Sequence, residues 1–280
     1  MRRRRRSSAP SSRRLRVGVV IDLHCHVVPD LDDGPATIED SVALCRAARA
    51  AGTDTIIATP HVNWAYPAVD AASIDAGVDA VNAALREASI ELDVKAGAEI
   101  ALSRLGDMSD AEISLLRLGE GPYSLVECPH QGGAPTAVEQ VLRQFAGSGH
   151  SIVLAHPERC PVFQANSRLL PALTAIGMLS CITARSLTGD FGSRARTCAW
   201  DLLAAGQVHA IASDAHDAHR RPPDLAATLD RAGLSDAQIE YFAFSSPEAI
   251  IRGAPVPQPP QVAERPAPRF SLRRRLRRAQ

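Results

Sequence analysis

Apolar runs alternate with segments of helical periodicity along most of the chain. The runs that predict strands are VGVVID, TDTIIATP, LDVKAGAEI, YSLVECP, SIVLAHP, MLSCITA and VHAIASD. Apolar residues at helical spacing predict helices over residues 38–50, 71–88, 109–117, 136–147, 167–176, 192–205, 223–232, 235–244 and 246–252. Because strands and helices alternate, the pattern favours an α/β fold with a parallel sheet, either open or closed into a barrel.

Charge divides the chain into three regions. Residues 1–18 hold eight arginines and no acid, and the proline-rich residues 253–280 hold seven arginines and one acid. The domain predicted between them, residues 19–252, therefore carries 16 basic and 30 acidic side chains, a net charge of about −14. We expect both basic ends to be disordered, and the alternative is that they make a weak electrostatic contact with an anionic membrane surface or nucleic acid.

The sequence also bears on the cellular compartment. No apolar run approaches the roughly 18 residues that a membrane helix needs. The six cysteines include no Cys-x-x-Cys pair, and a chain of 280 residues does not depend on a disulfide framework. We therefore expect a cytoplasmic protein with reduced cysteines.

Metal-ligating side chains follow six of the seven predicted strands. They are His24, His26 and Asp33 after the first strand, His61 after the second, Glu99 after the third, Glu127 after the fourth, His156 after the fifth, and Asp214 and His216 after the seventh. Parallel α/β folds place their chemistry at the carboxyl ends of the strands, so we expect these side chains to share one rim. For Asp33 an alternative interpretation is that it only shapes the turn DDGP.

The predicted ligands are too many for one ion. A His-x-His pair on a strand points both imidazoles to the same side, because side chains alternate with period two, and Cys25 between them then points to the packing face. Nine ligands suffice for two or three ions that share bridging carboxylates, and mixed nitrogen and oxygen ligands suit Mn, Fe or Zn. His130 and His219 are predicted at most at the rim of the pocket, and His150 and His209 are predicted to be structural.

Arginines next to the predicted ligands indicate a phosphorylated substrate. Arg159 follows His156 by three residues, and Arg220 and Arg221 follow His216 by four and five. Guanidinium groups bind phosphate bidentately, and clustered metals lower the pKa of water and polarise phosphoryl oxygens. The chain has no Cys-x5-Arg phosphatase loop, no GxxxxGK nucleotide loop and no Gly-x-Ser-x-Gly elbow. The predicted reaction is metal-assisted phosphoester hydrolysis.

The segments IDLHCHVVPDLDDGP, ATPHV, GAEI, GPYSLVECPH, AHPER, SLTGDFG and ASDAH with its later RPP resemble the PHP superfamily of metal-dependent phosphoesterases. More narrowly, they are similar to the CpsB-like bacterial tyrosine phosphatases of capsule and exopolysaccharide assembly. The resemblance runs in order from about residue 20 to residue 252. It implies a distorted (β/α)7 TIM-like barrel, the PHP fold, with a trinuclear site that prefers Mn2+. It also implies phosphotyrosine on a partner protein as the substrate, typically a tyrosine kinase that governs polysaccharide chain length.

The resemblance further implies a role for each predicted site residue. His24, His26, Glu99 and Asp214 would hold one metal, Glu99 would bridge to a second held by Glu127 and His156, and Asp33, His61 and His216 would hold a third. Arg159 and Arg221 would bind the phosphate, with Arg220 as the alternative to Arg221. Cys160, Cys181, Arg185 and Asp217 depart from the family pattern, which affects the substrate more than the metals. Two other functions stay open: a phosphoesterase for a small metabolite such as histidinol phosphate, and a non-catalytic regulator of polysaccharide assembly.

Overall fold

The computed structural model describes residues 19–131 and 134–263. Most of the two predicted basic ends, residues 1–18 and 264–280, therefore lies outside the described residues. Within the described part the chain forms nine strands, namely β1 (Ile21–Cys25), β2 (Thr55–Ala58), β3 (His61–Val62), β4 (Asp93–Ala96), β5 (Glu99–Ala101), β6 (Tyr123–Glu127), β7 (Ser151–Ala155), β8 (Leu179–Thr183) and β9 (Ala210–Ala212). Every strand pair is parallel, which confirms the predicted α/β class.

The strands pair as two sheets. One has the order β1-β2-β4, and the other has the order β3-β5-β6-β7-β8-β9. A parallel bridge between Cys25 and Ala215 links the end of β1 to the segment that follows β9, so the first and last strands are neighbours. This order is that of the predicted barrel in a distorted form, with the hydrogen bonding divided between two sheets.

Short interruptions separate β2 from β3 and β4 from β5. The first lies at Pro60, the last residue of the second predicted run, which has no N–H to donate to a neighbouring strand. The third run is divided into β4 and β5 at Gly97, where a Cβ atom would lie 2.9 Å from Ile57 Cγ2 and 3.3 Å from the Ala58 carbonyl oxygen. The Glu99 amide donates to the Pro60 carbonyl at 3.0 Å, so the two interruptions lie side by side.

Helices follow most strands. They are α1 (Ile38–Ala50), α2 (Ala71–Glu87), α3 (Asp110–Leu115), α4 (Pro135–Gly147), α5 (Pro161–Ala165), α6 (Leu169–Thr174), α7 (Ala184–Thr188), α8 (Gly192–Ala204), α9 (Leu225–Ala232), α10 (Asp236–Glu240) and α11 (Ser246–Arg252). Short 3-10 turns cover Leu102–Arg104 and Pro157–Arg159, and a π-helical turn over Tyr241–Ser245 joins α10 to α11. The short α5 and α7 were not predicted, because segments of five residues carry almost no periodicity.

Alternation along the strands divides the core in two. On β6, Leu125 belongs to an apolar cluster that includes Ile250 and Ile251 of α11, and the next residue, Val126, belongs to a larger cluster between strands and helices. The same alternation holds on β7, where Val153 and Leu154 fall in different clusters. Successive strand residues therefore point to opposite sides of the strands, and Glu127 at the end of β6 shares the side of Leu125.

The chain continues against the domain beyond the predicted boundary at residue 252. The Tyr241 hydroxyl donates to the Pro257 carbonyl at 2.7 Å, and Val262 is buried. Residues 253–263 were predicted as part of a disordered tail, but these contacts give them a defined position. No helix in the described part of the chain is long and apolar enough to cross a membrane.

Candidate metal centre

The predicted ligands lie where strands end or break. His24 is in β1 and His26 follows it, Glu127 ends β6, and His156 directly follows β7. His61 and Glu99 are the first residues of β3 and β5, so the two interruptions described above deliver both side chains. Asp214 and His216 follow β9, and Asp33 lies in the loop before α1. The structure therefore brings all nine predicted ligands towards one region.

Two of these residues adopt a rare backbone conformation. His156 has φ of 29° and Asp214 has φ of 52°, in the left-handed region that non-glycine residues seldom occupy. Backbone hydrogen bonds hold both, since the His156 amide donates to the Cys181 carbonyl at 2.7 Å and the Asp214 amide to the His24 carbonyl at 2.9 Å. Strain of this kind concentrates at functional sites, where the surrounding structure maintains it.

Glu99 lies at the centre of the cluster. Its Oε2 is 3.3 Å from His24 Nε2, 3.4 Å from His26 Nε2 and 3.0 Å from His61 Nδ1. Its Oε1 is 2.7 Å from His156 Nε2. The His24 and His26 Nε2 atoms lie 3.2 Å apart, so the His-x-His pair does point both rings to the same side. Asp214 Oδ1 lies 3.7 Å and 3.6 Å from these two nitrogens.

A second set of ligand atoms surrounds Asp33. Its Oδ1 is 3.6 Å from His61 Nε2 and 3.3 Å from His216 Nε2. His26 joins these three residues in a group whose ligand atoms all lie within 4.8 Å of one another. Asp33 therefore reaches the cluster, and its interpretation as only a turn residue does not account for this position.

A third set includes a histidine that was predicted at most at the rim. His130 Nε2 lies 2.9 Å from Glu127 Oε1, which is 3.8 Å from His156 Nε2. The ligand atoms of Glu127, His130 and His156 lie within 4.8 Å of one another. The signal for His130 was its position three residues after Glu127, in the loop that follows β6.

Sequence reasoning also missed Asp32, the neighbour of Asp33. Its side chain is fully buried, and Oδ2 forms hydrogen bonds with His26 Nδ1 at 2.6 Å and the His61 backbone amide at 2.9 Å. Oδ1 accepts from the Gly34 amide at 2.9 Å. Asp32 thus leaves Nε2 of His26 directed at the cluster, as carboxylates behind metal-ligating histidines do. The two aspartates of the DDG segment have separate tasks.

A structural observation that does not depend on the sequence motifs also indicates that these atoms bind metal ions. Glu99 Oε2, His61 Nδ1 and His216 Nε2 are buried, and their contacts with one another and with Asp33 among the described residues lack hydrogen-bond geometry. Buried polar atoms without partners are costly, and here they converge from three elements. A cation bound between them would satisfy these atoms, and imidazole with carboxylate is a ligand set for Mn, Fe or Zn.

The charge state of the carboxylates agrees with this role. Burial raises the pKa of Glu99, but His24 and His156 outweigh it and place that pKa well below the ordinary value. For Asp214, burial also raises the pKa, and His24 and Arg221 lower it further than burial raises it. Burial lowers the pKa of His26, yet the carboxylates of Asp32 and Glu99 raise it to about 10. Anionic ligands are thus present at neutral pH, and a metal would replace a proton on His26.

Arg159 and Arg221 converge on one carboxylate oxygen. Arg159 Nη1 forms a short hydrogen bond with Asp214 Oδ2, and Arg221 Nη2 lies 2.6 Å from the same oxygen. Arg220 is exposed, and its backbone amide donates to Asp217 at 2.6 Å. Of the two adjacent arginines, Arg221 is therefore the one directed at the cluster.

Other polar residues are engaged elsewhere. Arg185, a departure from the family pattern, lies 2.5 Å from Asp190. His150 Nε2 pairs with Asp110 at 3.0 Å, and His209 Nδ1 accepts from the Ser180 amide at 3.2 Å. The Cys160 thiol donates to the Pro129 carbonyl at 3.2 Å, a contact that packs the loops after β6 and β7 together.

Comparisons with known proteins agree with the resemblance in the sequence. The profile described as "Capsular polysaccharide synthesis, CpsB/CapC" matches residues 20–252. The chain is 33% identical over 250 residues to the tyrosine-protein phosphatase YwqE of Bacillus subtilis, covering 88% of this chain and 97% of that protein. It is 28% identical over 221 residues to the tyrosine-protein phosphatase CpsB of Streptococcus pneumoniae, covering 75% of this chain and 88% of that protein.

Solved structures give the same relationship. A structure described as one of YwqE from Bacillus subtilis and CpsB from Streptococcus pneumoniae, "unique metal-dependent tyrosine phosphatases", superposes with a TM-score of 0.73 at 32% identity and covers 88% of this chain and 100% of its own. Dihydropyrimidinase from Brevibacillus agri shares the fold alone, with a TM-score of 0.52 at 14% identity over 88% of this chain and 72% of its own. The resemblance seen in the motifs is confirmed. The chain belongs to the CpsB/CapC family of capsular polysaccharide synthesis.

Proposed function

We propose that this protein is a metal-dependent phosphatase that hydrolyses phosphotyrosine on a protein. One observation carries the proposal: nine ligand side chains and two arginines converge on one rim, and Glu99 and Asp214 connect the ligand groups to each other and to the arginines. The family relatives named tyrosine-protein phosphatases support the substrate class.

The residues suggest a division of labour. We propose that His24, His26, Glu99 and Asp214 would hold one metal, and that Glu99, Glu127 and His156, with His130 beside them, would hold a second. Asp33, His61 and His216 would hold a third. Bound metals would supply a water of lowered pKa and polarise the phosphoryl oxygens. The ions we expect are two or three Mn2+, with Fe or Zn as substitutes.

The arginines and Asp32 support the reaction without binding a metal themselves. Arg159 and Arg221 bind and orient the phosphoryl group, and their fixed charge stabilises the negative charge of its transition state. Their side chains are partly exposed, at 18% and 28%, so a substrate can reach them. Asp32 holds the His26 ring and the His61 backbone in place.

We further propose that the phosphotyrosine belongs to a tyrosine kinase of capsular or exopolysaccharide assembly, and that the protein acts in the cytoplasm. The family description supports the first proposal, because it places the family in capsular polysaccharide synthesis. The six free cysteines, five of them buried, support the second, because an oxidising compartment would favour disulfides.

The experiment measures phosphate release from para-nitrophenyl phosphate and from a phosphotyrosyl peptide, with EDTA and with added Mn2+. We expect EDTA to abolish release and Mn2+ to restore it. His156→Ala should abolish release, because it removes a ligand that lies 2.7 Å from Glu99. His209→Ala is the matched control: it also removes a mostly buried imidazole, but at the amino end of β9, away from the cluster.

Each outcome separates the proposal from its alternatives. A preference for the peptide over small phosphomonoesters supports the tyrosine assignment, and the reverse preference would indicate a phosphoesterase for metabolites. Release that survives both EDTA and His156→Ala would contradict the metal mechanism. An absence of release with Mn2+, Fe2+ or Zn2+ on any of these substrates would favour a non-catalytic regulator.

A further inference from the structure

The loop between α7 and α8 presents an aromatic ring to the candidate centre. Phe191 lies in this loop, and Gly189 at its start has φ of 98°, where a Cβ atom would also approach Arg196 Cδ at 3.3 Å. Two side chains of α8 hold the end of α7, since Arg196 Nε and Trp200 Nε1 each donate to the Leu187 carbonyl at 3.2 Å. These contacts tie the end of α7 to α8, on either side of the loop that carries Phe191.

Both phosphate-binding arginines lie over this ring. The guanidinium carbon of Arg159 is 4.3 Å from the ring centroid of Phe191, and that of Arg221 is 5.9 Å from it. The two arginines come from different parts of the chain, after β7 and after β9. One phenyl ring thus contacts two cations that no local sequence motif brings together.

The ring and Asp214 hold the arginines from two directions. Two neighbouring guanidinium groups repel each other, and Asp214 Oδ2 offsets this repulsion by pairing with both. As a proposed metal ligand, however, Asp214 must also share its charge with an ion. The face of the Phe191 ring attracts cations through its quadrupole, and unlike Asp214 the ring does not also bind a metal ion.

We infer that Phe191 is a positioning residue, which orients Arg159 and Arg221 so that both can bind one phosphoryl group. The inference rests on the proposed function and deepens it, because it names what holds the phosphate-binding groups in place. It also differs from a role in which Phe191 stacks on the aromatic ring of the substrate. A positioning residue should affect the binding of inorganic phosphate, which has no ring.

Inorganic phosphate is therefore the probe. Calorimetry of the Mn2+-loaded full-length protein measures phosphate binding, and Mn2+ binding is measured separately on each variant. We expect Phe191→Leu to weaken phosphate binding about 2- to 30-fold, the range of a cation–π contact, and to leave Mn2+ binding unchanged. Phe191→Tyr keeps the ring and should restore binding to about the wild-type level. Phe244→Leu, in the π-helical turn away from the rim, is the matched control.

Three outcomes would contradict the inference. Unchanged phosphate binding in Phe191→Leu, combined with slower hydrolysis of aryl phosphates alone, would overturn the inference in favour of stacking on the substrate ring. Weaker binding of Mn2+ and phosphate together would show that Phe191 acts through the metal ligands. Wild-type protein that binds no phosphate would also overturn it. Release of phosphate from phosphotyrosyl peptide, measured in parallel on wild-type protein, tests the proposed function independently of these binding constants.

Discussion

The candidate metal centre has an inner group and an outer group of ligands that differ in their access to water. The inner group, His24, His26, Glu99 and Asp214, consists of side chains that are at most 2% exposed. In the outer group, Asp33, His61, Glu127 and His130, exposure ranges from 15% for His61 to 47% for Asp33. The inner group is part of the protein interior, whereas the outer group faces the solvent from which metal and substrate arrive.

This difference has a physical consequence for metal binding. Buried ionised carboxylates are costly unless cations compensate them, so the inner group strongly favours a bound ion over none. The outer group keeps much of its hydration when no ion is present, so an ion gains less there. We expect the inner group to bind its metal more tightly and to release it more slowly.

The largest predicted effect follows from Glu99. Glu99→Gln removes the charge that four imidazoles share, and we expect phosphate release to fall about a thousandfold, as several kcal/mol of lost metal stabilisation requires. Added Mn2+ should not restore activity. Phosphate release and metal content measured across a range of Mn2+ concentrations test this. Glu139→Gln on α4, where Glu139 pairs only with Arg143 among the described residues, is the control.

Asp33→Asn makes the corresponding change in the outer group, for comparison with Glu99→Gln in the inner group. Asp33 is half exposed, and among the described residues its Oδ1 forms ion pairs only with His61 and His216. We expect a loss of about 10- to 100-fold at limiting Mn2+, comparable to the loss of other supporting groups at metal sites, and recovery at high Mn2+. Equal losses in the two variants, or recovery of both by Mn2+, would contradict the distinction between inner and outer groups.

Asp32 connects the two groups, and its substitution should have a smaller effect. Asp32→Asn keeps the size of the side chain but removes the charge that binds His26 Nδ1 and the His61 amide. Outer partners of metal-bound histidines contribute about 10- to 100-fold to metal affinity, and we expect about 10-fold here because the amide oxygen can still accept. Calorimetry with Mn2+ measures the change. Asp30→Asn, at an exposed position of the same loop with φ of 57°, should leave affinity unchanged, since asparagine tolerates that conformation.

Much of this centre could be predicted from the sequence because it follows the ends of strands. Apolar runs predict strands, parallel strands align their carboxyl ends, and period-two alternation places His24 and His26 on one side. These rules are local, so they also predicted the positions of Glu127 at the end of β6 and His156 directly after β7. The family motifs then added which residues share a metal, an assignment that remains a prediction.

What could not be predicted depends on contacts between distant segments. Nothing near Asp32 indicates that its carboxylate binds the His61 amide, 29 residues later, rather than serving as the ligand in place of Asp33. The interruption at Gly97 depends on the packing of Gly97 against Ile57 and Ala58. The contact of Phe191 with Arg159 and Arg221 likewise joins three loops that only the fold brings together.

Histidines inside and outside the cluster should differ in their response to pH, and this is the smallest predicted effect. The carboxylates of Asp32 and Glu99 raise the pKa of His26 to about 10, whereas burial lowers that of His209 to about 4. His209 Nδ1 accepts from the Ser180 amide, and protonation would break this bond. Because its pKa is lower in the folded protein than the ordinary 6.5, the unfolded chain binds more protons between these values. The stability that neutral His209 contributes is therefore complete above about pH 6.5 and is lost as the pH falls towards 4.

His209→Asn tests this, because the amide oxygen of asparagine can accept from Ser180 without titrating. Between pH 7.5 and pH 5 the wild-type protein should lose about 1 kcal/mol more unfolding free energy than the variant. That figure is below the roughly 2 kcal/mol that the full pKa difference gives at pH 5, because partial exposure of His209 screens its charge. Urea unfolding at both pH values, with EDTA present so that metal binding does not contribute, measures the difference. Parallel pH dependence in the two proteins would show that His209 keeps the same pKa in the folded and unfolded chain. Burial would then not explain the difference in pKa between His209 and His26.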